Sequence, residues 1–328
     1  MKIKKNKKTN ASVFIPHLGC PHECSFCDKN AITQREKSVT AADVRSILEG
    51  HVQSLQRRGM TAEIAFFGGT FTALEEEYRE ELLSIAREYK IKHSGVFTGI
   101  RCSTRPDYVD ESVLLQLQEY GVTAIEIGAQ SMDDDVLIAN NRGHTANDVR
   151  RAARLIKSYG FELGLQMMTG LYKDTPDKSL YTADELIRLC PDTVRIYPTV
   201  VFPGTRLAQL GHKPFTEEET IELCGEIYGR FVKSGIRVIR LGLNYSGNVI
   251  GERSISRYYF NRMRLFMESS GSTKFKVFTD KRNISKINGQ KCENKIKLEQ
   301  LGFTYKIKEK PNEDLEIHAL QPVSHRRQ

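Results

Sequence analysis

The chain has 328 residues, 39% of them hydrophobic, which is enough for one large domain with a buried core plus a small one and excludes an intrinsically disordered protein. No run approaches the roughly 20 apolar residues that cross a bilayer. The opening Met1-Lys2-Ile3-Lys4-Lys5-Asn6-Lys7-Lys8 lacks the apolar stretch of a signal peptide, so a cytoplasmic protein with no membrane partner is expected. The formal net charge of +8 sits in the tail, where residues 251–328 hold 17 Lys+Arg against 9 Asp+Glu while residues 1–250 hold 32 of each. Basic ends suit a polyanionic partner such as RNA, and a solvated surface is the plain alternative.

From residue 13 to about 242, short β-rich runs alternate with amphipathic stretches, the pattern of a parallel sheet with crossover helices. Strands are predicted at 12–16, 63–67, 95–100, 124–127, 163–168 and 193–197, and helices at 41–55, 75–89, 111–120, 146–159 and 182–189. Thr40 stands before Ala41-Ala42-Asp43, where its hydroxyl caps a first turn that also carries an acid. Tyr120-Gly121 and Tyr159-Gly160 each end a helix with a residue free to turn left-handed. Six βα units fall short of the roughly 250 residues of a closed eight-unit barrel. The expected fold class is therefore α/β, a partial (β/α)6 barrel over residues 10–245 followed by a small basic C-terminal α/β domain over 246–328. In such a barrel, chemistry sits at the C-terminal ends of the strands.

Seven cysteines are an odd number for a fully paired set, and three crowd together while Cys102, Cys190, Cys224 and Cys292 are scattered. In a reducing compartment that clustering points to metal. The loop after the first strand reads Gly19-Cys20-Pro21-His22-Glu23-Cys24-Ser25-Phe26-Cys27. Three thiolates at C-x3-C-x2-C spacing on a loop wrap three corners of a 4Fe-4S cube, and with no fourth cysteine nearby one iron keeps an open position. Zinc is the alternative. It requires a fourth protein ligand, His17 or His22, and His22 lies between two of the thiols, badly placed for the same metal.

The second strand runs into Phe66-Phe67-Gly68-Gly69-Thr70-Phe71, whose glycines let the backbone approach a ligand. Polar clusters follow the next two strands, Arg101-Cys102-Ser103-Thr104-Arg105-Pro106-Asp107 and Glu126-Ile127-Gly128-Ala129-Gln130-Ser131. Asn141-Arg142-Gly143-His144 adds a further arginine. Plainer readings are a buried ion pair for Arg105 and Asp107, a helix cap for Ser131, and surface positions for Arg142 and His144. His17 and His212 carry no assignment.

The cysteine loop, the glycine motif and the βα layout resemble the radical SAM superfamily over roughly residues 12–245. The resemblance implies an enzyme in which Cys20, Cys24 and Cys27 bind a 4Fe-4S cluster. Its unique iron chelates the amino and carboxylate groups of S-adenosylmethionine (SAM), and one electron breaks the sulfonium bond to give a 5'-deoxyadenosyl radical that takes hydrogen from a substrate. It also implies a reductant such as flavodoxin or ferredoxin, Phe26 near the adenine, Gly68, Gly69 and Thr70 on the methionyl part, and Ser103, Gln130 and Arg142 as further SAM contacts. For Phe26, core packing is the plain alternative.

The wording of the four motifs looks like the catalytic subunit of Elongator, a family that modifies wobble uridines in tRNA. Oxygen-independent coproporphyrinogen oxidases are similar in layout but read Gly-Gly-Thr-Pro and carry an acid at the place of Ser103. Elongator's cysteine spacing is longer in eukaryotic members. Its acetyltransferase domain is expected to be missing, since about 80 residues follow the barrel, so the same overall reaction is not implied. The expected substrate is an RNA nucleoside. The alternatives are a porphyrin-type oxidase or decarboxylase of a small molecule, and a non-catalytic iron-sulfur or haem carrier.

In the tail, residues 283–298 read as a short helix, a glycine turn with Lys291 and a second helix, resembling half of a KH-type RNA module with Cys292 in place of the second glycine of Gly-x-x-Gly. A small α/β cap is the plainer reading. Tyr258-Tyr259-Phe260-Asn261-Arg262-Met263-Arg264-Leu265-Phe266 sets aromatics and arginines at helical spacing, as a buried helix face does, and such side chains also stack on bases.

Overall fold

The computed structural model describes residues 9–15, 19–21, 23–27, 39–243 and 250–320. His17, His22 and the amino-terminal lysines lie outside the described residues. The chain divides into two compact units, Met1–Pro214 with Ile236–Ile239, and Phe215–Gly235 with Arg240–Gln328.

The first unit is a parallel sheet curled into a half-barrel, its strands in strict chain order: β1 (Thr9–Phe14), β2 (Ala62–Phe67), β3 (Phe97–Thr104), β4 (Ala124–Gln130), β5 (Glu162–Thr169), β6 (Thr193–Pro198) and β7 (Arg237–Leu241). Crossover helices α1 (Ala41–Arg58), α2 (Glu76–Lys92), α3 (Glu111–Glu119), α4 (Asp134–Ala139), α5 (Ala146–Ser158), α6 (Pro176–Arg188) and α7 (Arg206–Gln209) connect them. Their starts follow from caps: Thr40 and Thr145 each form a full capping box, with Asp43 and Asp148, and Thr175 accepts from the Lys178 amide ahead of Pro176. Gly121 and Gly160 have φ of 76° and 80°, the left-handed turns expected after α3 and α5.

Along the central strands one set of residues is buried and apolar, such as Ile125, Ile127 and Ala129 or Leu163, Leu165 and Met167. The alternate set faces the concave side and carries the buried charges of the sheet, set among glycines and a few apolar side chains. Glu63 and Glu162 hold Arg101 at 2.8 and 3.1 Å, and Glu126 holds Arg195 at 2.8 Å. This lining explains two differences from the sequence reading. β3 and β4 run on through Arg101–Thr104 and to Gln130, because a polar residue at every second position does not end a strand whose inner face is polar. A seventh strand, β7, joins the sheet edge; its five residues include two arginines and none is buried, so it lacks the usual strand pattern.

The second unit pairs α8 (Glu217–Lys233) with α9 (Ile250–Ser269) and adds β8 (Lys274–Thr279), α10 (Ile284–Asn288), α11 (Glu293–Gln300), β9 (Thr304–Glu309) and β10 (Glu316–Ala319). Arg257 pairs with Glu218 and Glu222 and Arg253 with Glu217, so α8 groups with the tail rather than with the barrel that the sequence reading ran to residue 245. The sheet order is β10-β8-β9, with β9 parallel and β10 antiparallel to β8. Tyr258, Tyr259, Met263 and Met267 pack on Phe275, Val277, Ile287, Leu298 and Tyr305, the buried helix face that the aromatic spacing predicted. Between α10 and α11 the turn is as expected, and Cys292 takes a left-handed φ of 61° at the place where the KH pattern has glycine. Among the described residues no helix is long and apolar enough to cross a membrane.

Candidate active site

The cysteine loop is tied to three neighbouring segments of the barrel unit. Gly19 has φ of 74°, and a Cβ there would stand 2.5 Å from the Thr70 carbonyl oxygen, so the close approach to the loop after β2 requires glycine. Gly68 is held the same way, with φ of 108° and an added Cβ 2.5 Å from the Ile15 carbonyl. Ser25 is fully buried: its amide donates to the Asn140 carbonyl at 3.1 Å, its hydroxyl to Asn140 Oδ1 at 2.6 Å, and its carbonyl accepts from the Leu207 amide at 2.9 Å. Asn141 Nδ2 donates to the Glu23 carbonyl at 2.9 Å, and the Cys27 amide to the Cys24 carbonyl at 3.0 Å. Cys20, Cys24 and Cys27 are therefore half-buried cysteines on an anchored loop.

Arg142 joins this loop to β4. Its Nη1 donates to Cys24 Sγ at 3.0 Å, its Nη2 to the Gly128 carbonyl at 2.8 Å, and its Cζ lies 5.8 Å from the centre of the Phe26 ring. Only 6% of Arg142 is exposed, so the surface reading fails, and its buried Nε has no partner among the described residues. Arg105 supports it by donating to the Arg142 carbonyl while pairing with both oxygens of Asp107 at 2.9 and 3.0 Å, the buried ion pair expected of that turn. Cys20 Sγ lies 3.4 Å from Thr70 Oγ1.

Ser103 is half-buried on the inner side of β3, its hydroxyl without a side-chain partner among the described residues. Gln130 ends β4 at a positive φ of 67°, after a register shift, and its Oε1 accepts from Gln166 Nε2 at 3.2 Å. The sequence reading missed Gln166, as well as Arg195, which stacks over the Phe67 ring at 5.0 Å and donates to the Tyr197 hydroxyl at 3.3 Å. The signal for both was the two-residue period of polar positions in β5 and β6. Ser131 bonds the Asp133 amide and faces the Thr182 hydroxyl, close to the capping role expected of it. His212 is structural, bonded to the Gly170 carbonyl at 2.9 Å.

Among the described residues no group of three His, Cys, Asp or Glu side chains stands together as ligands of a metal ion. Cys102, on β3, is a packed thiol, since full burial pushes it up to about 12. The unpartnered Nε of Arg142 is a buried donor with charge to offer a carboxylate.

His144 is also buried, at 4% exposure, with Nε2 3.2 Å from the Ala129 carbonyl. Burial, with Arg142 and Arg105 adding to it, holds its imidazole down at about 3. Unfolded, the ring protonates near pH 6.5, so between there and pH 3 only the unfolded chain takes this proton, and stability present above pH 6.5 is lost on acidification. From pH 7 to 5 the wild type is expected to lose about 2 kcal/mol more than His144→Gln in denaturant unfolding. Equal losses in the two proteins would show that His144 does not carry this dependence.

The family model described as the Radical SAM superfamily matches residues 14–186, and that of the Radical_SAM C-terminal domain matches residues 191–260. A tRNA uridine(34) acetyltransferase of Methanocaldococcus infernus is 28% identical over 250 residues, covering 62% of this chain and 46% of its own. Elongator complex protein 3 of Schizosaccharomyces pombe is 30% identical over 258 residues, covering 65% and 47%. The chain thus spans about half the length of these curated relatives. The structure of archaeal Methanocaldococcus infernus Elp3 with an N-terminal deletion superposes with a TM-score of 0.58 at 21% identity, over 82% of this chain and 64% of that one, a likeness of fold. With the superfamily match running through more than half of its residues, the chain belongs to the radical SAM superfamily, enzymes that use a 4Fe-4S cluster and SAM.

Proposed function

We propose that the chain is a radical SAM enzyme acting on an RNA nucleoside, with Cys20, Cys24 and Cys27 holding the cluster. The observation that carries the site is the arginine clamp: Arg142 touches Cys24, Phe26 and β4 together, joining the thiol loop to the strand ends where a barrel does its chemistry. When bound, the cluster supplies the electron, received from a flavodoxin- or ferredoxin-type reductant, that cleaves SAM. The chain's own residues position the ligand. Gly68 packs the loop after β2 against Ile15, Gly69 presents its backbone to the methionyl end, Thr70 lies beside Cys20, Arg142 Nε offers a donor to a carboxylate, and Ser103 and Gln130 offer polar groups at the ends of β3 and β4. Phe26, held under the Arg142 guanidinium, presents a ring for the adenine.

The names of the relatives, a tRNA uridine(34) acetyltransferase and an Elongator subunit, support RNA as the substrate class, and so does the basic tail. The test is anaerobic reconstitution with SAM, a reductant and fractionated cellular RNA, followed by mass analysis of the nucleosides. A nucleoside whose mass changes only with SAM present is the expected result. Formation of 5'-deoxyadenosine with unchanged RNA, or with turnover of a porphyrinogen instead, would remove RNA from the account.

A further inference from the structure

The second unit carries a sheet face that its own core does not use. In β8, Phe275, Val277 and Thr279 are buried, so Lys274, Lys276 and Phe278 point to the other side. The same alternation in β9 buries Tyr305 and puts Thr304, Lys306 and Lys308 opposite. Register aligns these side chains in rows: Phe278 stands between Lys308 and Glu316, and Lys276 between Lys306 and His318. The Phe278 and His318 rings lie 5.1 Å apart, forming an aromatic patch among lysines.

Among the described residues the cations of the unit fall into a paired and an unpaired set, and four of the unpaired ones share this face, others being Lys281, Lys291 and Lys297. Arg253, Arg257, Arg262, Arg282 and Lys310 all pair with carboxylates. Among the described residues, Lys274, Lys276, Lys306 and Lys308 form no such pair. Glu316, the carboxylate in these rows, is engaged by Lys310 and His318. Lys276 and Lys306 are direct cross-strand neighbours, an arrangement that costs stability unless a counter-charge lies over it.

We propose that this face of β10-β8-β9 is a platform for single-stranded RNA, with a base stacked on Phe278 and His318 and phosphates on Lys276, Lys306 and Lys308. Four unpaired cations select a polyanion. The aromatic patch selects one with accessible ring faces, which a single strand offers and a duplex hides. The inference rests on the RNA reading above for the class of nucleic acid. It places the contact on the sheet, where the lysines stand beside an aromatic pair, rather than on the turn that carries Lys291.

The test uses the full chain and a fluorescein-labelled single-stranded oligoribonucleotide of about a dozen nucleotides, read by anisotropy from 50 to 200 mM salt. In the double variant Lys306→Gln/Lys308→Gln, affinity falls and the slope of log K against log salt shrinks by about 1.4, at roughly 0.7 per phosphate contact. In Phe278→Leu, which keeps apolar bulk, affinity falls about fivefold to a hundredfold with the slope unchanged. Both variants keep the circular dichroism melt and the 5'-deoxyadenosine formation of the wild type. Wild-type affinity in both variants overturns the platform while leaving the RNA reading in place. A wild-type chain that binds no RNA overturns both. Binding of phosphatidylserine vesicles, lost in the lysine variant, with no affinity for the oligoribonucleotide, reassigns the face to a membrane surface and overturns it as well.

Discussion

Replacing Cys24 with alanine is expected to abolish cluster colour after anaerobic reconstitution and, with it, SAM-dependent formation of 5'-deoxyadenosine, while the chain still folds. The loss follows from ligand count. On the proposed site three thiolates of one loop would hold three irons, and removal of the middle one would leave two. The fold survives because the loop is fastened by other groups, namely Ser25 through two bonds to Asn140 and one from Leu207, and the Glu23 carbonyl through Asn141. The direct structural cost is the Arg142 Nη1 donor, which loses its sulfur acceptor, at about 1–3 kcal/mol. Circular dichroism with iron analysis separates the two effects. Retention of colour and SAM cleavage by Cys24→Ala would remove the loop from the chemistry.

The second large effect is structural. Arg101 lies inside the half-barrel between Glu63 and Glu162, with both Arg101 and Glu63 nearly inaccessible to water. Arg101→Met removes the guanidinium and leaves the Glu63 carboxylate in the low-dielectric interior without it. Breaking such a pair from one side costs about 3–5 kcal/mol. The double variant Arg101→Met/Glu63→Gln is expected to recover much of that loss, because the uncompensated charge is gone. Chemical denaturation, read on the transition of the barrel unit, checks the loss and its recovery. A loss below about 1 kcal/mol in the single variant would show that the pair is not holding the interior together. Glu126 belongs to the same lining: burial raises its carboxyl, while Arg195 and Arg101 pull the other way.

Much of the barrel was legible because its signals are local. Thr40 with Asp43, the glycines after Tyr120 and Tyr159, and the spacing of Cys20, Cys24 and Cys27 all act over a few residues, and a sequence window contains them. The misses have a common cause in distance or in an inverted pattern. Ser25 and Asn140 are 115 residues apart, so nothing near Ser25 marks it as the anchor of the loop. Arg101, Ser103, Gln130, Gln166 and Arg195 face the concave side of an open sheet, where polar side chains occupy strand positions. A reading that equates strands with apolar runs therefore ends β3 and β4 too early. Arg142 and His144 were balanced between rim and surface for the same reason, since their burial arises from β4 and the cysteine loop, elements distant in sequence.

The central claim is that the thiols of Cys20, Cys24 and Cys27 leave one iron of a cube free to take SAM. Its most direct test is electron paramagnetic resonance of the anaerobically reconstituted, reduced protein before and after SAM is added, with iron counted in the same sample. About four irons per chain and a spectrum that changes on addition of SAM are predicted. Stoichiometric zinc in place of iron, or a cluster spectrum indifferent to SAM, would contradict the account.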